Sequence, residues 1–135
     1  MGPDRSQAHV GSATVPGAVR ALRGATTVDE DTPEQLFART VALLEQMLER
    51  NGVDHEEIIS ILFTATDDLH STFPAAAART IGLGDVPLIC ARELEISGAT
   101  PRCIRVMMHL WTEHSRADLR HVYLEGAKGL RDDLP

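Results

Sequence analysis

Three arginines, one glutamate and one tyrosine occupy the middle or the ends of segments that are typical of β-strands. They are Arg23, Arg105, Arg131, Glu93 and Tyr123. Taken singly, each is typical of a surface charge or an ion pair. Taken together, guanidinium groups that grip carboxylates in a bidentate way, beside one carboxylate acceptor, would suit a small dianion that carries a hydroxyl group. Spacing alone leaves both interpretations open.

Other chemistries lack the residue patterns that they need. The histidines never adopt HExxH or a similar ligand spacing, so we predict no metal and no cofactor. Gly82-Leu83-Gly84-Asp85 follows a predicted helix and does not complete a phosphate-binding motif, which makes it a turn. Cys90 lies in an apolar run with no histidine in a recognisable partner position, and we interpret it as a small buried residue rather than a nucleophile.

Composition excludes several classes of partner. The chain has 135 residues, enough for one domain, and no apolar run approaches the roughly 20 residues of a membrane span. A net charge of −7 disfavours nucleic acid and anionic lipid as partners. Lys128 is the only lysine among 13 basic residues. Either high genomic GC content or selection for bidentate anion binding would explain the arginine excess.

The two ends of the chain differ in composition. Residues 1–18 are polar and rich in Gly, Pro and Ser without an apolar signal core, so we expect a disordered tail followed by one domain over residues 19–135. Two cysteines, Cys90 and Cys103, are too few for a disulfide framework. These features favour a cytoplasmic protein.

The first half of the domain contains the clearest helix signal. A strand is predicted over residues 19–26. Thr32-Pro33-Glu34-Gln35 fits a capping box with proline at the first helical position, apolar residues follow at helical spacing, and Asn51-Gly52 ends the helix. The apolar run over residues 58–66 predicts a strand that is covered on both faces.

The second half predicts one more helix and two longer strands. Ser71 or Thr72 would cap a helix that has Pro74 in its first turn and ends at Gly82. Residues 86–96 and 103–111 are expected to be strands. A helical turn after Ser115 and a final strand within residues 120–131 complete the chain.

The strand at 103–111 alternates in an informative way. Ile104, Val106, Met108 and Leu110 share one face and are candidates for the core, whereas the opposite face starts at Cys103 and carries Arg105 in mid-strand. The order β-α-β-α-β-β implies an α+β fold, a mixed sheet with two helices on one face. Because no helix remains to cover the other face, we expect an oligomer.

Several blocks of sequence, in the same order, resemble the monofunctional chorismate mutases of the Bacillus, non-helical type. The resemblance covers residues 19–134, and its blocks are RGATT at 23–27, ATDDLHSTFPA at 65–75, VPLIC at 86–90 with Glu93, CIRVMM at 103–108, RHVYLEGA at 120–127 and LR at 130–131. It implies a homotrimer with a pseudo-α/β-barrel core and active sites between adjacent subunits. It also implies the rearrangement of chorismate to prephenate, towards phenylalanine and tyrosine.

The resemblance also implies roles for individual residues. Arg105 would direct its guanidinium to the ether oxygen of the breaking C–O bond, and Arg23 and Tyr123 would bind substrate carboxylate. Glu93 would accept a hydrogen bond from the ring hydroxyl, helped by Cys90. Such a pericyclic reaction needs positioning and charge stabilisation, and it needs neither a metal nor a nucleophile.

Further residues would enclose the substrate. Phe73 and Ala75 would form a wall beside the ring, and Leu130 with Arg131 would close the site from the C-terminal end. Members of the family often carry lysine where this chain has Ala76, after the FPA block, so a peripheral carboxylate contact is either missing or made by Arg79 instead.

Two alternatives remain at this point. The trimeric enamine/imine deaminases have a similar topology and also place sites between subunits, with an arginine for substrate carboxylate, but the blocks above do not follow their pattern. A trimeric small-molecule binding module that has lost its chemistry would keep the fold, but it would have no physical need for a mid-strand arginine.

Overall fold

The computed structural model describes residues 17–130. It contains five strands and two helices: β1 (Ala18–Thr27), α1 (Pro33–Asn51), β2 (Ile58–Ala65), α2 (Pro74–Thr80), β3 (Leu88–Arg92), β4 (Cys103–Thr112) and β5 (Val122–Tyr123). Short 3₁₀ turns lie at His55–Glu57, Arg116–Asp118 and Glu125–Ala127. Residues 1–16 of the predicted N-terminal tail lie outside the described range, as does the predicted site residue Arg131.

The strands form one mixed sheet in the order β3-β2-β4-β1-β5. The long strand β4 lies antiparallel to both β1 and β2, while the edge strands β3 and β5 run parallel to their neighbours. Both helices pack on the same face, and most of their buried side chains join those of β1, β2 and β4 in the main apolar core, while Val28, Leu36 and Ile104 form a smaller cluster. The predicted α+β architecture is confirmed.

Helix α1 begins and ends where the sequence predicts. The Thr32 side chain accepts a hydrogen bond from the Gln35 backbone N–H at 3.2 Å, and Gly52 ends the helix with a left-handed φ of 59°. The capping box is not reciprocal, because the Gln35 side chain accepts from the backbone N–H groups of Asp29 and Glu30 instead. The side chain thus ties the β1–α1 loop to the first turn of the helix.

Three predicted boundaries are wrong. Helix α2 is capped by Phe73 without a side-chain hydrogen bond, since the residue before Pro74 is held in an extended conformation. Strand β3 covers only five residues, because its last residue, Arg92, pairs with Ala65, where β2 itself ends. The final strand is reduced to two residues, after which Glu125 adopts a left-handed φ of 52° and the chain turns.

The two faces of the sheet differ, as the alternation in β4 predicts. On the helix side, Ile104, Val106, Met108 and Leu110 are at most 2% exposed. Cys103, predicted on the opposite face, is nevertheless buried at the start of the strand. Among the described residues, strand β2 is not covered on both faces: Ile59 is 43% exposed, and both helices lie on the opposite side of the sheet from the Leu62 and Thr64 side chains.

Candidate active site

A cleft of about 240 Å³ lies on the face of the sheet opposite the two helices. Its floor is a row of residues in cross-strand register: Thr64 of β2 opposite Arg105 of β4, Arg105 opposite Ala25 of β1, and Ala25 opposite Tyr123 of β5. Residues in register on one face of a sheet have neighbouring side chains. The lining residues are Arg23, Gly24, Ala25, Leu62, Thr64, Glu93, Arg105, Val106, Met107, Tyr123 and Leu130.

Arg105 occupies the central strand of this row. Hydrogen bonds to β1 on one side and β2 on the other fix its backbone, and its side chain is half exposed to the cleft. The Nε atom lies 3.4 Å from Oε2 of Glu93. The ion pair uses Nε, and the guanidinium also hydrogen-bonds the Cys103 thiol. Because a guanidinium carries five N–H donors, donors on the Nη atoms remain for an anion in the cleft.

Glu93 follows β3 directly and is anchored at both ends. Its backbone N–H donates to the carbonyl oxygen of Ala65 at 2.9 Å, which extends the β2–β3 pairing by one bond. Its side chain, 22% exposed, accepts a hydrogen bond at Oε2 from the Thr64 hydroxyl. The carboxylate therefore has a fixed position at one end of the cleft, beside the Arg105 guanidinium.

Arg23 and Tyr123 lie towards the other side of the cleft. The Arg23 residue is in register with Met107, one row along the sheet from Arg105. Its backbone N–H donates to Nδ1 of His121 at 3.0 Å, so this nitrogen is unprotonated and the imidazole fixes the strand beside β5. Among the described residues, the cleft thus combines two guanidinium groups with one carboxylate, a balance that favours anions.

Hydrogen bonds hold the C-terminal side of the cleft against β1. The Leu124 N–H donates to the carbonyl oxygen of Ala25 at 2.9 Å, and the Gly126 N–H donates to Thr27 Oγ1 at 2.9 Å. A Cβ atom on Gly126 would approach Thr27 Oγ1 to 2.8 Å, so this close contact needs glycine. These bonds place the turn that carries Leu130 against the cleft.

Four residues expected in the site lie outside the cleft of the single chain. Cys90 is in register with Phe63 and packs against the core from the helix side. Ala75 is buried in α2, Arg79 is exposed on the same helix, and Phe73 projects into solvent with 71% of its surface exposed. Their assignments stay predictions, and Arg131 lies outside the described residues.

The sequence did not identify Thr64, Leu62 or Ala25 as cleft residues, and it placed Met107 only on the same face of β4 as Arg105. Alternation along β2 could have found the first two, because Leu62 and Thr64 are two residues apart and therefore share a face. The apolar character of the whole run concealed that alternation. Register with Arg105, which selects Thr64 in particular, is a property of the folded sheet.

The thiol of Cys103 is not suited to nucleophilic chemistry. Burial raises its pKa above the usual 9.0, and this effect outweighs both the charge of Arg105 and the hydrogen bond between its guanidinium and the thiol, which lower the pKa. Within residues 17–130, no group of three or more His, Cys, Asp or Glu side chains could hold a metal ion. None of the helices over the same range is long and apolar enough to span a membrane.

Comparisons with known proteins agree with one another. The family description "Chorismate mutase type I" matches residues 19–134. A chorismate mutase from Thermus thermophilus is 52% identical over 118 residues, which cover 86% of this chain and 96% of that protein. One from Bacillus subtilis (strain 168) is 44% identical over 117 residues, covering 86% and 92%.

A solved structure supports the same assignment. A chorismate mutase from Clostridium thermocellum superposes with a TM-score of 0.80 at 48% sequence identity, and the match covers 81% of this chain and 97% of that one. A sequence match along nearly the whole domain and a shared fold leave no room for the deaminase alternative. The chain therefore belongs to the type I chorismate mutase family.

Proposed function

We propose that the cleft binds chorismate and rearranges it to prephenate, an isomerase reaction that serves aromatic amino acid biosynthesis. Family membership supports this reaction. The observation that carries the proposal is the placement of Arg105, whose guanidinium projects from the middle of a strand paired on both sides. A donor held in this way is aimed before the substrate arrives.

The reaction needs what this site offers. The rearrangement is an intramolecular Claisen reaction: one C–O bond breaks as one C–C bond forms, with no intermediate bound to the protein. The chain must hold the substrate in a chair-like conformer, which is a positioning task. It must also stabilise the negative charge that grows on the ether oxygen in the transition state.

The geometry supports one role for each of the gathered side chains. The Nη atoms of Arg105 would donate to the ether oxygen and a neighbouring carboxylate, while Arg23 and Tyr123 would hold substrate carboxylate from the other side. Glu93 would accept a hydrogen bond from the ring hydroxyl. Leu130 would cover the apolar part of the substrate.

The apolar wall expected from Phe73 and Ala75 would come from a second copy of the chain. Phe73 is exposed, away from its own cleft, and large apolar side chains at Ile89, Leu94 and Ile96 are each at least 63% exposed. Exposed apolar groups of this kind mark contact surfaces. A homotrimer with shared sites would cover these side chains and bring Phe73, with Arg79 behind it on α2, to a neighbouring cleft.

The remaining assignments concern location and extent. The catalytic unit would comprise residues 19–135, with Arg131 next to Leu130 at its open end. A cytoplasmic location is consistent with Cys90 and Cys103, neither of which forms a disulfide.

The reaction is tested by following the ultraviolet absorbance of chorismate after adding purified protein in the presence of a metal chelator. We expect rapid loss of absorbance, with prephenate as the product. A folded protein that leaves chorismate unchanged would overturn the proposed function.

The shared site is tested by mixing two inactive variants. Arg105→Ala removes the donor from a subunit's own cleft. Phe73→Asp places a carboxylate, which repels the dianionic substrate, in the cleft of the neighbouring subunit. After unfolding and refolding together in equal amounts, hybrid trimers should regain about a quarter of the wild-type sites. A site contained in one subunit would regain none, with size-exclusion chromatography controlling for assembly.

A further inference from the structure

We propose that Thr64 is a positioning residue: its hydroxyl holds Oε2 of Glu93 beside Arg105, which leaves Oε1 of Glu93 to accept a hydrogen bond from a ligand. The Thr64 hydroxyl donates to Oε2, the same oxygen that lies 3.4 Å from Nε of Arg105. Within residues 17–130, no hydrogen bond reaches Oε1, which is left to accept from a ligand. This inference rests on the proposed function, in which Glu93 receives the ring hydroxyl.

The fold fixes the Thr64 hydroxyl independently of the two charged side chains. Thr64 is in register with Arg105 on β4 and with Ala91 on β3, so its backbone is held from both sides. A β-branched side chain on a strand has few accessible rotamers. The hydroxyl is therefore a stationary donor at the junction between the Glu93 carboxylate and the Arg105 guanidinium.

Without the Thr64 hydroxyl, the Glu93 carboxylate would be free to adopt a different geometry with Arg105. Carboxylates and guanidinium groups prefer a bidentate pair with two parallel hydrogen bonds. Without Thr64, Glu93 could rotate to engage both Nε and one Nη of Arg105. That pair would occupy the nitrogen needed by the substrate and turn Oε1 away from the ring hydroxyl, so the free enzyme would bind chorismate less well.

The first test is the isosteric substitution Thr64→Val, followed by chorismate kinetics. We expect kcat/KM to fall about ten- to hundredfold, the range for losing a hydrogen bond to a charged group, mostly through a higher KM. Thr64→Ser restores the hydroxyl and should recover to within about threefold of wild type. A serine variant as impaired as the valine variant would overturn the proposal.

The matched control is Thr26→Val. Thr26 is a buried threonine on β1 whose hydroxyl has no hydrogen-bond partner among the described residues, so the same substitution loses no bond there. Its kinetics should remain those of the wild type. If Thr64→Val does not fold, Thr64→Ala replaces it, with circular dichroism as the check on both.

A double-mutant cycle separates positioning from a structural effect. In a Glu93→Ala background there is no carboxylate to orient, so adding Thr64→Val should change kcat/KM by less than about twofold. An undiminished effect there would show that Thr64 acts through something else and would overturn the proposal. A wild-type protein without mutase activity would overturn the proposed function as well, whereas a fully active Thr64→Val variant beside an active wild type would overturn this inference alone.

Discussion

Replacing Arg105 with alanine separates catalysis from folding more clearly than any other substitution in the cleft. The loss of one preorganised donor to a developing negative charge costs roughly 3–4 kcal/mol in the transition state, about 10²–10³ in rate. The cost in stability is far smaller. Arg105 is half exposed, and an ion pair of that exposure with Glu93 contributes about 0–1 kcal/mol. Turnover should therefore nearly disappear while the protein stays folded.

The assay is chorismate consumption, with urea denaturation and size-exclusion chromatography run on the same preparations. Arg105→Lys should recover little activity, because one ammonium group cannot reproduce the planar two-pronged donor. Arg116→Ala, which removes an exposed arginine outside the cleft, controls for the change in net charge. Near-normal kcat in either Arg105 variant would refute the assignment, and so would lost activity that merely tracks lost stability.

Other predictions concern groups outside the reacting centre. Desolvation raises the pKa of Asp31, but hydrogen bonds from the His70 and Ser71 backbone N–H groups outweigh it and hold the pKa below 3.8. The ionised Asp31 carboxylate therefore stabilises the fold above pH 3.8, and this contribution is lost as the pH falls below that value. The stability difference between wild type and Asp31→Asn, from denaturation midpoints, should shrink as the pH falls below 3.8; a difference independent of pH would contradict this. Gly24→Ala should cost about 1 kcal/mol in urea denaturation, since a Cβ atom there would lie 2.5 Å from the Met47 sulfur; unchanged stability would show that the helix yields freely. Iodoacetamide should alkylate buried Cys103 only after unfolding, as followed by mass spectrometry, and rapid native labelling would contradict its burial.

Local signals predict the fold well where one residue decides a boundary. Thr32 and Pro33 start α1, and Gly52 ends it, because capping and left-handed φ are properties of single residues. Where pairing decides, the sequence is less informative. Strand β3 stops at Arg92 because its partner strand β2 ends at Ala65, opposite Arg92, and no pattern within residues 86–96 records that limit.

The site residues likewise differ in whether the local sequence or only the folded sheet reveals them. The mid-strand charge of Arg105 is evident from alternation in β4, and its partner Glu93 follows from the resemblance to the family. The contribution of Thr64 depends on the β2–β4 register, which the sequence of either strand alone does not contain. The placement of Phe73 on the outside of the chain is likewise a property of the fold, since a residue before proline reveals its conformation but not its surroundings.

The alternation along β4 assigns stability and catalysis to opposite faces of one strand. Val106 and Met108 join the core with the helices, and Arg105 and Met107 face the cleft. Because the reaction transfers no group to the protein, the strand that carries Arg105 does not have to move during the reaction, and its rigidity is compatible with catalysis. Packing on the helix side holds the strand, and the strand in turn aims the guanidinium. Truncating Met108 should therefore lower the unfolding free energy, whereas truncating Arg105 should lower kcat, and neither effect should substitute for the other.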